Sequence, residues 1–240
     1  MNREEAVLRE LNLYPLWRRR ESPVAVRVPE KSGPQVEPAP AKSREQLVSE
    51  LGWAELKARV RDCTACKLRA GCTQTVFGVG DENADWLFVG EGPGADEDAQ
   101  GEPFVGQAGK LLDNMLMSIK LKRGNKVYIG NIVKCRPPGN RTPDADEIAT
   151  CMPYLQRQVE LIKPKLIVAL GRTAATALLR RDAALSGLRG TLHDYHGIPL
   201  VVTYHPAYLL RTPSDKAKVW QDLCLAAKTM EGLAHVEKLP

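Results

Sequence analysis

Strongly apolar runs alternate with stretches of helical periodicity between residues 86 and 202, and this alternation restricts the fold more than any other feature of the chain. A short run that is apolar at nearly every position is typical of a strand buried on both faces. Strand, helix and strand in this order predict a parallel sheet with helices on both faces, and therefore an α/β fold. The predicted strands are 86–89, 127–133, 166–170 and 198–202, and the predicted helices include 109–119, 143–162 and 172–179.

The composition is that of an ordinary globular protein. With 240 residues, 43% of them hydrophobic, the chain is long enough for one large domain and a tail. The net charge of +5 permits an anionic partner without requiring one. No stretch approaches the roughly 20 apolar residues of a membrane span, and the opening Met-Asn-Arg-Glu-Glu begins no signal peptide. We therefore expect a cytoplasmic protein without membrane contact, and we take it to be a monomer.

The chain divides near residue 45. Residues 3–20 predict a short amphipathic helix that Pro15 interrupts. The proline-rich composition between residues 22 and 42 is typical of a disordered linker. We expect residues 1–44 to form a tail and linker, and residues 45–240 to form the folded domain. The tail is either a docking peptide for an unidentified partner or a marginal helix that binds nothing specific.

Four of the six cysteines fall into two pairs, Cys63 with Cys66 and Cys135 with Cys151. The first pair has the Cys-x-x-Cys spacing of many metal sites, and four thiolates without a nearby histidine suit zinc or an iron–sulfur cluster. The alternative is that these are redox cysteines or small buried hydrophobic residues. The remaining two are expected to pack in the core; they are Cys72 and Cys224.

Polar and glycine-rich segments follow the predicted strands. Ligands of parallel sheets bind beyond the carboxyl ends of the strands, so segments distant in sequence are expected to meet at one site. Gly90, Gly92 and Ala95 match a loose dinucleotide-binding pattern, but Pro93 lies inside the turn, which argues against a nicotinamide or flavin site. The segments contain carboxylates, a carboxamide, an imidazole and arginines, and they are 90–98, 131–141, 171–173 and 203–211.

Five segments of the chain form a recognisable set. They are Cys-Thr-Ala-Cys at 63–66, Val-Gly-Glu-Gly-Pro-Gly at 89–94, Gly-Glu-Pro-Phe-Val-Gly at 101–106, Asn-Ile-Val-Lys-Cys-Arg-Pro-Pro-Gly-Asn-Arg-Thr-Pro at 131–143, and His-Pro-Ala-Tyr-Leu-Leu-Arg at 205–211. Together they resemble the family 4 uracil-DNA glycosylases, the iron–sulfur branch of that superfamily. The resemblance covers residues 60–223 in consistent order. It implies a three-layer α/β/α sandwich on a four-stranded parallel sheet, and a [4Fe–4S] cluster on Cys63, Cys66, Cys135 and Cys151.

The resemblance implies that the partner is uracil-containing DNA, from which the uracil nucleotide must be flipped before it can be reached. Asn131 offers a donor and an acceptor to the O4 and N3–H edge of uracil, whereas cytosine presents the opposite pattern. Phe104, in a loop flanked by glycines, is expected to be an exposed platform that stacks on the base. His205 is expected to donate a hydrogen bond to O2 of the departing uracil, as an oxyanion-stabilising group.

The resemblance defines the water-activating group less closely. The family 1 enzymes have Gln-Asp-Pro-Tyr where this chain has Glu-Gly-Pro-Gly, so the aspartate that serves the water there has no counterpart here. We assign Glu91, together with Gly92 and Pro93, to the uracil pocket. Glu97 is assigned to electrostatic stabilisation or to positioning the water. It is also a candidate for rejecting the methyl group of thymine, because Gly94 lacks the bulk of the tyrosine that does so in family 1. The alternative for Glu97 is an ordinary acid at a helix N-terminus.

Basic and apolar residues near the expected site are assigned to DNA binding. Lys134, Arg136 and Arg141 are expected to contact phosphates. Leu209 is expected to act as a wedge that enters the base stack, with Arg211 as the cation that follows it.

Two other functions remain as alternatives. One is a protein that binds or cross-links to uracil-DNA without turnover. The related cross-linking branch has a Gly-Glu-Gln-Pro-Gly string and a Lys-Arg-Arg-Ile-His insertion, and this chain has neither. The other is an iron–sulfur electron carrier, which the basic loops and the segment around His205 argue against. Release of free base from uracil-containing DNA separates the three.

Overall fold

The computed structural model describes residues 3–12 and 43–236 of the chain. Its internal contacts divide the chain into two units, Met1–Ala41 and Lys42–Pro240. The first unit contains helix α1 (Arg3–Glu10), which agrees with the start of the amphipathic helix predicted over 3–20. The rest of that helix and the predicted disordered linker lie outside the described residues.

The second unit contains a six-stranded sheet. Its strands are β1 (Val79–Gly80), β2 (Trp86–Gly90), β3 (Val127–Asn131), β4 (Leu166–Leu170), β5 (Leu192–Tyr195) and β6 (Ile198–Thr203). The order across the sheet is β1-β3-β2-β4-β6-β5. The four central strands pair in parallel, and each edge strand pairs antiparallel with its neighbour. The predicted parallel sheet is therefore confirmed, with two strands added at its edges.

The edge strands gave little signal in the sequence, for a physical reason. Strands β2, β3 and β4 are buried at every position, so each reads as an uninterrupted apolar run. In contrast, β1 has only two residues, and most of β5 is exposed or half-buried. A strand at the edge of a sheet faces solvent, and its side chains are accordingly mixed.

The helices begin and end close to the predicted positions. Those predicted at 109–119, 143–162 and 172–179 correspond to α5, α6 and α7. None of the helices among the described residues is long and apolar enough to cross a membrane. In the second unit they are α2 (Arg44–Ser49), α3 (Trp53–Arg61), α4 (Ala95–Gln100), α5 (Gln107–Ser118), α6 (Ala145–Ile162), α7 (Arg172–Leu179), α8 (Leu185–Leu188), α9 (Pro206–Arg211) and α10 (Lys216–Val236).

Helices cover both faces of the sheet, which confirms the three-layer sandwich. Because successive side chains of a strand point to opposite faces, Leu87 packs in one core and Phe88 in the other. Helices α3, α6 and α7 contribute buried residues to the core that contains Leu87. Helices α5, α9 and α10 contribute to the core that contains Phe88.

Helix α6 directs the side chains of Cys151 and Gln158 into the interior of the protein. It begins at a capping box, in which the carboxylate of Glu147 accepts a hydrogen bond from the backbone N–H of Asp144 at 2.8 Å. It ends at Lys163, which adopts the left-handed conformation common after a helix. Cys151 and Gln158 lie seven residues apart on this helix, about two turns, so both point from the same face into the protein.

Candidate active site and thiol cavity

The segments that follow β2, β3 and β6 enclose a cavity of about 460 Å³ at the carboxyl edge of the sheet. This is the edge at which parallel sheets bind ligands. The cavity is lined by all the residues that the sequence assigned to catalysis or base binding, and by two of the arginines assigned to DNA. These residues are Glu91, Gly92, Pro93, Glu97, Phe104, Asn131, Arg141, His205 and Arg211.

Asn131 ends strand β3 and has one unpartnered polar atom. The residue is 2% exposed, and its side-chain oxygen Oδ1 is buried without a hydrogen-bond partner. Gly90 on the neighbouring strand leaves room for it, because a Cβ at Gly90 would lie 2.5 Å from Oδ1. A buried carbonyl oxygen without a partner costs about 1–3 kcal/mol. An acceptor kept in this state at a cavity wall indicates a ligand that donates a hydrogen bond to it.

His205 is held as a neutral imidazole with one free N–H. Its Nδ1 accepts a hydrogen bond from the backbone N–H of Ala207 at 3.2 Å, at the start of α9. An Nδ1 atom that accepts cannot carry the proton, so the proton of the neutral ring resides on Nε2. Burial lowers the pKa of His205 to about 4, and the charge of Arg211 acts in the same direction. At neutral pH the ring is therefore an uncharged donor that lines the cavity.

Phe104 lines the cavity but is not the exposed platform that the sequence predicted. Its side chain is 6% exposed, and its ring stacks on that of His205 with 5.4 Å between centroids. Phe104 also has a φ of +56°, and Arg123 donates to its carbonyl oxygen at 2.9 Å, which fixes this left-handed conformation. The prediction was wrong because the loop folds inward over Gly109, where a Cβ would lie only 1.7 Å from the Phe104 carbonyl oxygen.

The carboxylate of Glu97 is occupied by the backbone. Its Oε2 accepts from the N–H of Gly94 at 3.0 Å, and its Oε1 accepts from the N–H groups of Val105 and Gly106 at 3.1 and 3.3 Å. These bonds join the loop after β2 to the loop that contains Phe104. Glu97 therefore shapes the cavity, and three of the roughly four acceptor positions of its carboxylate are taken by backbone N–H groups.

Glu91 follows β2 directly and is shared by two cavities. It lines the cavity described above and a neighbouring groove, which also includes His205. The hydroxyl of Thr173, at the start of α7, donates a hydrogen bond to its Oε2. Thr173 lies in the strand-end segment 171–173, and no motif in the sequence indicated this role. Among the acids of this turn, Glu91 is the one that a side-chain hydroxyl orients.

The arginines assigned to phosphates differ in their availability. Arg211 is exposed at the cavity mouth. Arg141 makes a two-pronged ion pair with Glu147, at 2.9 and 2.7 Å, and this pair lowers the pKa of Glu147 to about 2. Arg136 donates to the side-chain oxygen of Asn140 at 2.7 Å and is half-buried. A phosphate contact from Arg141 would therefore have to compete with its ion pair.

Two assignments to DNA are corrected by burial. Lys134 is 1% exposed, and its ammonium donates inside the protein to the Asn131 carbonyl and to Gln158, so it cannot contact a phosphate. Leu209 is 1% exposed and packs in the core with α10, whereas its neighbour Leu210 is 47% exposed. Helix α9 turns Leu209 toward the sheet, so the exposed apolar side chain of this segment is Leu210.

The two cysteine pairs line one cavity on the side of the sheet that α3 and α6 cover. Cys63 and Cys66 lie between α3 and a short 3-10 turn (Lys67–Gly71), Cys135 follows β3, and Cys151 lies on α6. All four thiols line the same cavity, together with apolar residues and three basic residues, Arg44, Arg69 and Lys134. Burial raises the pKa of the Cys151 thiol to about 11. Burial also raises the pKa of Cys135, and the adjacent thiols of Cys72, Cys151 and Cys66 raise it further.

The donor set suits an iron–sulfur cluster. Among the described residues that line the cavity, none is a histidine, aspartate or glutamate, and four are soft sulfur ligands. No three described His, Cys, Asp or Glu side chains converge tightly enough to hold one metal ion. The four thiols are instead spread around the cavity wall. Burial and neighbouring thiols raise the pKa values of Cys135 and Cys151, so these two thiols require a cationic centre if they are to be thiolates.

The two remaining cysteines have different environments. Cys72 is half-buried, packs against the core and receives a hydrogen bond from Arg69 at its sulfur, as expected for a packed residue. Cys224 is exposed on α10, so the prediction that it packs in the core was wrong. The buried face of α10 includes Val219 and Leu223, and Cys224 is turned about 100° away from Leu223 around the helix.

Comparison with known proteins places these observations in a family. The model of the uracil DNA glycosylase superfamily matches residues 77–224. A type-4 uracil-DNA glycosylase of Thermotoga maritima is 45% identical over 67% of this chain and 84% of its own length. The type-4 enzyme of Archaeoglobus fulgidus is 43% identical over 70% of this chain and 88% of its own. A type-5 uracil-DNA glycosylase of Pyrobaculum aerophilum is 32% identical over 54% of this chain and 64% of its own.

Proposed function

The chain belongs to the uracil DNA glycosylase superfamily, and within it to the type-4 uracil-DNA glycosylases, and from this premise we propose that it flips uracil out of DNA and hydrolyses its N-glycosidic bond. This reaction begins base excision repair. The single observation that supports the proposal most directly is the unpartnered Oδ1 of Asn131 at the wall of a cavity that also contains the N–H donor of His205.

We assign base recognition to Asn131. Its Oδ1 would accept from N3–H of uracil, and its amide nitrogen would donate to O4. Cytosine has a lone pair at N3 and an amino group at position 4, so it would place acceptor against acceptor and donor against donor. At a residue that is 2% exposed, water could not relieve such a mismatch. The ring of Phe104 supplies an apolar wall beside this edge.

The chemical step is assigned to His205. Cleavage of the glycosidic bond leaves negative charge on the uracil oxygens, and a hydrogen bond to O2 strengthens as that charge develops. A neutral imidazole with its proton on Nε2 is suited to this role, because it donates a hydrogen bond without losing its proton to the anion. The backbone N–H of Ala207 keeps the ring in that tautomer.

We assign the attacking water to Glu91 and the shaping of the pocket to Glu97. The hydroxyl of Thr173 orients the Glu91 carboxylate at the boundary between the pocket and the neighbouring groove. A carboxylate there would orient a water and stabilise positive charge on the sugar. Gly92 and Pro93 line the same wall, where a side chain at position 92 would meet Val133 at 2.7 Å.

We assign a [4Fe–4S] cluster to the four-cysteine cavity, with Cys63, Cys66, Cys135 and Cys151 as its ligands. Hydrolysis requires no electron transfer, so the chemistry that the cluster supplies is structural cross-linking. It would join the segment after α3, the segment after β3 and helix α6. The segment after β3 contains Arg136 and begins next to Asn131, so this cross-link would support the pocket as well as the fold.

DNA is the proposed macromolecular partner, with Arg211, Arg136 and Arg141 facing its phosphates. A monomer stays the expected oligomeric state. The cytoplasmic location, the partner of the tail and the extent of the folded domain stay predictions.

Release of free base tests the proposed function. The protein should liberate uracil from an oligonucleotide with one uracil and leave an alkali-labile site, and it should not act on the matched thymine oligonucleotide. Tight binding or covalent capture of the uracil strand without free base would favour the non-turnover alternative. Neither binding nor release would reject both.

Replacing Asn131 with aspartate should weaken uracil excision by about tenfold or more, because an ionised carboxylate lacks the donor for O4 and a protonated one rearranges it. The same change is expected to admit cytosine to a measurable extent. Single-turnover rates on uracil and cytosine oligonucleotides measure both effects. Asn125→Asp, in an exposed turn, is the matched control. Unchanged uracil excision in Asn131→Asp would remove Asn131 from the pocket.

The exposed Leu210 replaces Leu209 as the expected wedge. Leu210→Ala should slow excision from duplex DNA several-fold and affect single-stranded substrate much less, because only the duplex must be unstacked. Leu209→Ala should instead destabilise the fold by about 2–5 kcal/mol, as for other buried leucines. Rates on both substrates and thermal unfolding distinguish the two variants. Equal slowing on single and double strands by Leu210→Ala would contradict the wedge.

A further inference from the structure

Lys134 is a fully buried lysine that lies between the thiol cavity and the base pocket. Its Nζ donates to the backbone carbonyl of Asn131 at 2.9 Å and to Oε1 of Gln158 at 2.7 Å. Its backbone N–H donates to the sulfur of Cys151 at 3.3 Å. One residue therefore contacts both the strand end that presents Asn131 and a cysteine of the four-thiol set.

The partners of this ammonium are themselves fixed inside the protein. Gln158 is fully buried, and its Nε2 donates to the Phe77 carbonyl at 3.0 Å and to the hydroxyl of Tyr128 at 3.2 Å. Gln158 lies on α6, two turns from Cys151. The helix that supplies one thiol thus also supplies the acceptor that holds the ammonium in place.

A buried charge needs a counter-charge. Moving an ammonium out of water costs several kcal/mol unless an opposite charge compensates it. Both acceptors of Lys134 are neutral oxygens, and the nearest group that would be anionic as a cluster ligand is Cys151, whose sulfur accepts from the Lys134 backbone N–H at 3.3 Å. Four thiolates around one cavity would carry a negative charge that a bound iron–sulfur core compensates only in part. A cation next to Cys151 balances the remainder.

We propose that Lys134 is a positioning residue that couples the cysteine site to the base pocket. The charge of its ammonium balances the metal–thiolate centre. The ammonium also donates to the Asn131 carbonyl and thereby fixes the orientation of the side chain that recognises uracil. This inference rests on the proposed cluster and on the proposed glycosylase function, and it assigns a role that neither of them requires.

Three variants separate the two parts of this role. Lys134→Met removes the charge and the hydrogen bonds at nearly constant volume. Lys134→Gln removes the charge but keeps an N–H donor near the Asn131 carbonyl. Arg44→Met removes a different cation of the thiol cavity, one that donates to the Cys63 sulfur at 3.7 Å and lies over the ring of Tyr154 at 5.0 Å. Arg44 therefore serves as the control for charge alone.

The measurements are the iron content, the reduction potential of the cluster and the inhibition constant of free uracil. All three variants should lower the reduction potential relative to the wild type, because each removes positive charge beside the cluster. Lys134→Met should also raise the inhibition constant for uracil about tenfold, equivalent to the loss of one hydrogen bond. Arg44→Met should leave the inhibition constant within about twofold of the wild-type value. Lys134→Gln should give an inhibition constant between those of Lys134→Met and Arg44→Met.

The outcomes distinguish this inference from the proposed function. A wild-type protein without iron or without uracil release would reject the proposed function before any variant is compared. If the wild type has both, an unchanged potential and an unchanged uracil constant in Lys134→Met would overturn the coupling alone. Equal loss of uracil binding in Arg44→Met would also overturn it, since Arg44 makes no contact with Asn131. If Lys134→Met does not accumulate as folded protein, Lys134→Gln decides by the same measurements.

Discussion

Replacing His205 with alanine is expected to lower single-turnover uracil cleavage by about 100-fold or more, while DNA affinity stays nearly unchanged. Removal of one oxyanion donor in comparable sites costs about 3 kcal/mol or more. The donor acts on charge that exists only as the glycosidic bond breaks, so its loss raises the barrier and not the dissociation constant. Single-turnover cleavage and equilibrium binding of a uracil oligonucleotide, measured under the same conditions, separate these quantities.

The pH dependence of the same reaction gives a second check. An ordinary histidine titrates near pH 6.5, but burial lowers the pKa of His205 to about 4. The ring is therefore neutral in the folded protein from about pH 5 upward, and we expect no step in the cleavage rate near pH 6.5 that depends on His205. The unfolded chain binds this proton below about pH 6.5 and the folded chain does not, so the stability contributed by this group falls as the pH falls from 6.5 to 4.

The control for this variant is His235→Ala, which changes an exposed histidine at the end of α10. It should cleave at the wild-type rate. Full cleavage by His205→Ala would refute the oxyanion role. Loss of DNA binding in proportion to the rate would instead identify His205 as a ground-state contact, and the catalytic role would then pass to Glu91.

Replacing Cys135 with alanine is expected to abolish both the cluster and the folded protein. Purified wild-type protein should be brown under anaerobic conditions and contain iron and sulfide, and Cys135→Ala should lack all three. Cys135 lies in the segment that follows β3, so its loss would disconnect that segment from α6 and from the segment after α3. Metal binding that joins such segments contributes directly to the free energy of folding.

Iron and sulfide assays, visible absorption and thermal unfolding measure this effect. Cys224→Ala is the matched control, because this cysteine is exposed on the opposite face of the sheet and should lose nothing. Full iron content in Cys135→Ala would remove this residue from the ligand set. Zinc without iron in wild-type protein made under iron-replete conditions would reject the cluster itself.

Neighbouring acids that look alike in the sequence have three different environments in the structure. Glu91 accepts a hydrogen bond from the hydroxyl of Thr173. Glu97 accepts hydrogen bonds from three backbone N–H groups. Asp98 accepts from the backbone N–H groups of Thr73 and Gln74. Of the four acids in the segment 91–98, Glu91 is oriented by a hydroxyl, whereas Glu97 and Asp98 hold loops through backbone N–H groups. The difference between these environments depends on the segments that surround each acid, and those segments are distant in sequence.

The sequence by itself determined the central sheet, the helices that cover it and the location of the pocket. These features depend on local periodicity and on strand order: a strand buried on both faces must be apolar at every position, as at 166–170. The segments after β2, β3 and β6 then have to meet, because parallel strands end at one edge. Asn131 ends β3 and His205 lies two residues after β6, and the resemblance to the family 4 uracil-DNA glycosylases implied the role of each.

The tertiary structure alone decided what each polar or apolar side chain in those segments contacts. Leu209 and Leu210 are the same residue type. The packing of α9 on the core that contains Phe88 buries Leu209 and leaves Leu210 exposed. Lys134 is a basic residue in a segment expected to contact phosphates. Its ammonium instead donates hydrogen bonds to buried oxygens of Asn131 and of Gln158 on α6. Such outcomes depend on the direction in which a segment faces and on partners far along the chain. Local sequence patterns contain neither, because periodicity reports how often a residue is buried and not what surrounds it.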